Sequence, residues 1–144
     1  MNPSKPGGLG FGAGYLIFVV LAALALIALG FEGTYLLVNL RAVDEGMTAA
    51  ADASAQSVDR AEQNGYAVLT LRTSDGPEGL SALSAAQSEL EARGLSDRVQ
   101  VRELLLVDDV VVLRAEFRLP ALAGRLLGLS SYDYLLTTLA EVSP

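Results

Sequence analysis

The sequence predicts an α+β protein in which a long N-terminal transmembrane helix extends into a domain with a second helix packed on a small antiparallel sheet. Three observations predict it. Residues 6–31 carry no charge, and Phe11 to Phe31 is almost entirely apolar. A stripe of apolar and small residues then continues at helical spacing beyond that block. The C-terminal third alternates apolar and polar residues with the period of half-buried strands. The 144 residues allow one domain of usual size, and the 51% hydrophobic content with mean hydropathy +0.40 is high for a soluble chain of that length.

At a rise of about 1.5 Å per residue, the run from Phe11 to Phe31 matches a hydrocarbon core of ~30 Å. It is longer than the apolar region of a secretory signal, which favours a permanent anchor over a cleaved export signal. Lys5 precedes the run; Glu32, Arg41, Asp44 and Glu45 follow it. The positive-inside rule then puts the N-terminus in the cytoplasm and the rest outside. The glycines of Gly8-Leu9-Gly10-Phe11-Gly12 have the look of a dinucleotide loop, but no strand precedes them. Gly10 and Gly14 have the spacing for close helix approach.

Leu36, Leu40, Val43, Met47, Ala50 and Ser54 recur at steps of four and three, a single helical stripe. Asn64-Gly65 reads as a helix stop, so one helix is expected to end at Gln63, with Gly33 and Gly46 as bend points. Tyr66–Arg72 is β-rich, and Ser74–Gly79 is a turn. A second helix is expected from Leu80 to Arg93, with Leu80, Leu83, Ala86 or Gln87, and Leu90 on its apolar face and Gly94 closing it. Val99, Val101 and Leu105 alternate with polar residues on a strand. Asp108-Asp109 makes a hairpin turn, and Leu113, Ala115, Phe117 and Leu119 line one face of the returning strand. Pro120 ends that strand. A segment through Gly124 and Gly128 leads to a last strand from Tyr132 to Val142. The expected organisation is a short leader over 1–10, the transmembrane and extended helix over 11–63, and an extracytoplasmic domain over 64–144.

Composition removes several function classes. Cysteine and histidine are both absent, which excludes disulfide frameworks, thiolate zinc sites, Cys nucleophiles and Ser-His-Asp triads. A net charge of −7 argues against nucleic acid. Asp108-Asp109 has no converging partner in the pattern, and Ser130-Ser131 has no base, since Lys5 is the only lysine. No catalytic residue, metal, cofactor or small-molecule substrate is expected.

An acidic residue ends the span (Glu32). The Ala/Asp-rich helix Val43-Asp44-Glu45-Gly46-Met47-Thr48-Ala49-Ala50-Ala51-Asp52-Ala53-Ser54-Ala55 follows, then the strand Val111–Pro120, the segment Leu127-Gly128-Leu129 and the closing strand Leu135–Ala140. In these features the chain resembles the TadE/TadG-like pseudopilins of the tight-adherence (Flp) pilus machinery, over nearly its whole length. The resemblance implies a pilin-like domain on a single-pass protein of the bacterial inner membrane. It also implies an assembly role, with the membrane, other pilin-like or secretion-machinery subunits, or further copies of itself as partners. Prepilin processing would cut between Gly10 and Phe11; the glutamate usual at the fifth position after the cut is Tyr15 here. Gly14, Glu32, Leu36, Leu40, Val43, Met47, Ala50 and Ser54 are the expected subunit-packing positions, with the stripe from Leu40 to Val58 burying itself on the protein's own sheet and on neighbours, and with Glu32 paired to a neighbour's N-terminal amine or a basic group, or set in headgroups and water. The alternative is a membrane-tethered extracytoplasmic binding or scaffold domain unrelated to pili.

Overall fold

A computed structural model describes residues 9–143, with side chains from Gly12 onward. The fold is α+β. Helix α1 (Leu9–Gln56) runs through Gly33 and Gly46 without a break. A hairpin of β1 (Val58–Gln63) and β2 (Tyr66–Leu71) follows, then α2 (Ala82–Ala92). The chain ends in an antiparallel meander of β3 (Val99–Val107), β4 (Val110–Pro120) and β5 (Ser131–Glu141), in the order β3-β4-β5. A 3₁₀ turn, η1 (Gly124–Leu127), lies between β4 and β5. Residues 1–8 of the expected leader lie outside the described residues.

The expected helix over 57–63 is corrected to a strand. Asn64 (φ 55°) and Gly65 (φ 80°) both adopt the left-handed conformation, and Gln63 faces Tyr66 across the turn. Asn-Gly supplies the positive φ values that a two-residue hairpin demands as well as those a helix C-terminus uses. The pairing of Val58 with Leu71 and of Asp59 with Thr70 decides for the hairpin. Arg72 then ties this hairpin to the next turn: its Nη2 lies 2.6 Å from Asp59 Oδ1, and its Nη1 donates to the Glu78 carbonyl at 3.2 Å.

The outer half of α1 is the spine of the domain. Val43, Met47, Ala50, Ala51, Ser54 and Ala55 are buried against α2 and the inner face of the meander. The facing residues of α2 are Ala82, Ala86 and Leu90; Leu80 and Leu83, expected on that face, are exposed. Small residues on both helices explain the change of face, because they let the backbones come close. Ser54 Oγ bridges the helices, at 2.9 Å from both the Ala50 and Ala82 carbonyls. A Cβ on Gly46 would lie 2.3 Å from Leu95 Cδ1. The C-terminus of α2 is closed by Gly94 at φ 67°, with the Leu95 N–H donating to Leu90 at 2.8 Å and the Gly94 N–H to Glu91 at 2.9 Å, a Schellman pattern.

In the meander, Leu113, Ala115, Phe117 and Leu119 of β4 face inward, as expected, and Val111 joins them. Phe117 stacks on Tyr134 with ring centroids 6.2 Å apart. The β3 pattern needs one correction. A register shift between Val101 and Glu103 reverses the alternation, so Leu104 and Leu106 turn inward and Leu105 faces out. Asp108 (φ 57°) sits in the β3–β4 hairpin turn.

Two predictions follow from this packing. Gly46→Val is expected to destabilise the protein by about 1–3 kcal/mol, since the added atoms meet Leu95 in a filled core; thermal unfolding in detergent, followed by circular dichroism, reads it. The second concerns Asp75, whose carboxylate accepts from the Ser81 N–H at 2.7 Å and from Ser84 Oγ at 3.2 Å. The bond from the Ser81 N–H above all holds the Asp75 carboxyl below its ordinary value, with the two serine hydroxyls adding to it. A lowered carboxylate stabilises the fold above its unfolded pKa of ~3.9, and that contribution is lost as pH falls through the lower folded value. Asp75→Asn is therefore expected to flatten the fall of Tm with acidification below about pH 4.

Candidate functional site

Helix α1 carries two environments on one rod. From Tyr15 to Phe31 nearly every large apolar side chain is exposed, and by length and composition this segment is able to cross a membrane. At its outer end stands Glu32, only 4% exposed. The residues that cover it come from the β4–β5 connection, some ninety positions later. The Leu122 N–H donates to both carboxylate oxygens, at 3.0 and 3.1 Å, and the Ala123 N–H donates at 2.7 Å. The Tyr132 hydroxyl is directed at the same carboxylate. Burial pushes the Tyr132 phenol up, and its bond to Glu32 pushes it further.

Local structure explains why this connection can present two adjacent N–H groups. Pro120 closes β4, and Ala123 takes the αR conformation that starts η1, so the amides of Leu122 and Ala123 lack turn partners of their own. A carboxylate there acts as the cap. Gly124 is required by a close approach: a Cβ would lie 2.8 Å from the Tyr132 hydroxyl. Gly128 (φ 82°) ends η1 in the left-handed conformation, and the Leu129 N–H returns to the Gly124 carbonyl at 3.0 Å.

Glu32 thus binds this chain's own loop. The settings expected from the sequence, a neighbour's amine or a basic group on one side and headgroups and water on the other, give way to the loop amides. No local signal marks the pairing, because donor and acceptor are brought together only by β4 running back along α1. Tyr132, placed by the sequence only at the start of the last strand, belongs to the site.

The other expected packing residues are placed as follows. The Gly10–Phe11 bond lies in the first turn of α1. Gly14 faces open space, with nothing within 4 Å of a Cβ built there. Leu36 and Leu40 are half-buried, and Val43, Met47, Ala50 and Ser54 are fully covered by the chain's own α2 and meander. These four have no surface left for a neighbour. Asp108-Asp109 makes the β3–β4 turn, and the Asp109 carbonyl accepts from the Val142 N–H at 2.8 Å. Among the described residues, no three His, Cys, Asp or Glu side chains converge as a metal site would need.

A surface cleft of about 450 Å³ lies beside this end of the sheet, lined in part by Arg98, Arg102, Glu116, Arg118 and Asp133. Most of its charged side chains find partners within the chain. Arg102 pairs with Glu116, Arg118 Nε lies 2.7 Å from Asp133 Oδ1, and Arg98 donates to Asn39 Oδ1 at 3.0 Å.

No protein-family model, curated protein or solved structure gives a significant match to the chain.

Glu32→Gln keeps one acceptor oxygen, turns the other into an NH2 group that faces the loop amides, and removes the charge that strengthens the remaining bonds. The Leu122 and Ala123 amides are expected to exchange with deuterium roughly tenfold faster or more, with little change at Leu113 or Ala115; native-state hydrogen exchange in nanodiscs measures it.

Proposed function

We propose that the protein is a structural subunit, a pseudopilin-like minor component of a bacterial tight-adherence pilus or related secretion system, anchored in the inner membrane. The N-terminus is cytoplasmic in this reading and the domain extracytoplasmic. The observation that carries it is the single unbroken helix α1, bare along its apolar half and serving as the spine of an α+β domain along its polar half. The mechanism is association without covalent chemistry. Within lipid, neighbouring helices are held by close van der Waals packing, for which Gly12 and Gly14 leave space.

A second reading is favoured by the covered stripe. Since Val43, Met47, Ala50 and Ser54 are used internally, the domain also suits a tethered binding or scaffold module with no helical neighbours.

Native membranes separate the two. The protein is expected to stay in the pellet after alkaline carbonate, to begin at Phe11 on N-terminal sequencing, and to co-purify with pilin-like subunits in mild detergent. A start at Met1 with a lone monomer supports the tethered module, and a start near Phe31 overturns the anchor itself.

A further inference from the structure

The loop that caps Glu32 is apolar on its outside. Leu126 is 85% and Leu127 74% exposed, and Leu122 and Leu129 are exposed beside them. Arg125 is the one charged residue from Ala121 to Ser130, and it is exposed too. Four exposed leucines in eight residues are unusual for a loop in water.

The position of the loop along α1 is fixed from two sides. At the base of the sheet, Arg98 meets Asn39 of α1, and the Arg118 N–H donates to the Arg98 carbonyl at 3.0 Å. From there β4 and β5 continue without β3, through the pairs Arg118–Asp133, Leu119–Tyr132 and Pro120–Ser131. At ~3.3 Å per residue this two-stranded ribbon reaches about 10 Å further. Along the helix, the seven residues from Asn39 back to Glu32 also cover about 10 Å. Ribbon and helix therefore arrive together at Glu32, next to Phe31, the last residue of the uncharged run.

The polarity of α1 gives the depth. Past Glu32 the exposed side chains include Leu37 and Val38, and the first exposed charge is Arg41, paired to Glu45 at 3.1 Å. The boundary with water thus falls between Val38 and Arg41, above Glu32. A carboxylate below that boundary needs donors that travel with it, and the Leu122 and Ala123 amides are those donors. A loop bound to Glu32 shares its depth.

We infer that the segment Leu122–Leu129 is a second membrane anchor, a leucine-tipped loop seated in the outer-leaflet interface and clasped to the span by Glu32. Leu126 and Leu127 enter the acyl boundary, and Arg125 reaches the headgroup phosphates. The occupant of this surface is lipid because its depth is that of α1's own exposed apolar surface. The loop makes the domain sit on the bilayer at a fixed angle instead of swinging on a single helix. This inference rests on α1 spanning the membrane.

The sequence contains no cysteine, so single reporters can be placed in the full-length protein. Leu126→Cys, Phe18→Cys and Asp109→Cys are each labelled with an environment-sensitive nitrobenzoxadiazole dye and reconstituted into phosphatidylcholine–phosphatidylglycerol vesicles containing lipids spin-labelled near the headgroup or deep in the chain. The expected result is quenching at Leu126 by the shallow label several-fold above that at Asp109, and quenching at Phe18 by the deep label. Quenching at Phe18 with none at Leu126 overturns the second anchor and leaves the span standing. No quenching at Phe18 removes the span and the loop anchor together. Emission at Leu126 that is blue-shifted, insensitive to spin-labelled lipid and dependent on the protein-to-lipid ratio assigns the surface to a second copy and overturns the inference.

Discussion

A carboxylate at the end of an uncharged helix is an expensive group to leave alone, and Glu32 sets the terms for much of the chain around it. An isolated helix would meet this need with water or headgroups. Here the donors are main-chain amides, which carry no side-chain flexibility and can be supplied only by a loop held in place. Holding it requires β4 and β5 to continue past the end of β3, Pro120 to end the ladder, and Gly124 to let Tyr132 approach. The contact closes a ring through α1, the meander and the β4–β5 connection. The position of this end of the domain along α1 is thereby set by the helix itself.

The outer half of α1 meets a different constraint. Its stripe is rich in Gly, Ala and Ser, side chains that bury little apolar area each. Such a face is useful only when a partner comes very close, and α2 meets it with Ala82 and Ala86. Gly46 beneath Leu95 and the bridging Ser54 hydroxyl mark how near the two helices lie. Bulk is supplied from the sheet side, where Phe117, Leu113, Leu119 and Val111 fill the space against Val43 and Met47. One face of small residues and one of large ones make a thin domain on a single spine.

Much of this was legible in the sequence. Period-two alternation identified β4 and its buried face residue by residue, because a strand with one wet side records its orientation in every position. The uncharged block identified the exposed half of α1. Three features escaped for separate physical reasons. Asn64-Gly65 serves equally as a helix stop and a hairpin turn, and the choice lies in the pairing of Val58 with Leu71. The shift near Arg102 reverses a pattern that looks regular in the letters Val99, Val101 and Leu105. The apolar line of α2 runs through Ala82 because helix proximity outweighed side-chain size, leaving Leu80 and Leu83 outside. The site was half legible. Glu32 stood out as a charge beside the span, but its partners are backbone amides, and an amide has no letter of its own.

In the proposed reading as an assembly subunit, the same geometry constrains how the chain meets its neighbours. The stripe of small residues beyond the apolar run, expected to serve both the protein's own sheet and its neighbours, is covered from Val43 to Ala55 by the chain's own elements. Contacts between subunits then have to use what the domain leaves open. In lipid that is the bare circumference of α1 from Tyr15 to Phe31. In water it includes the outer face of the meander, where the residues nearest the Glu32 end are cross-strand ion pairs and the far end exposes Leu105, Val107 and Leu139. The ion pairs are satisfied within the chain and exposed, so they contribute little to association. The apolar far end gains from being covered, and it lies at the opposite end of the sheet from the Glu32 clasp. In the proposed reading, the membrane contact and the open apolar surface of the sheet lie at opposite poles of the domain. Binding at the far pole can therefore leave the clasp undisturbed.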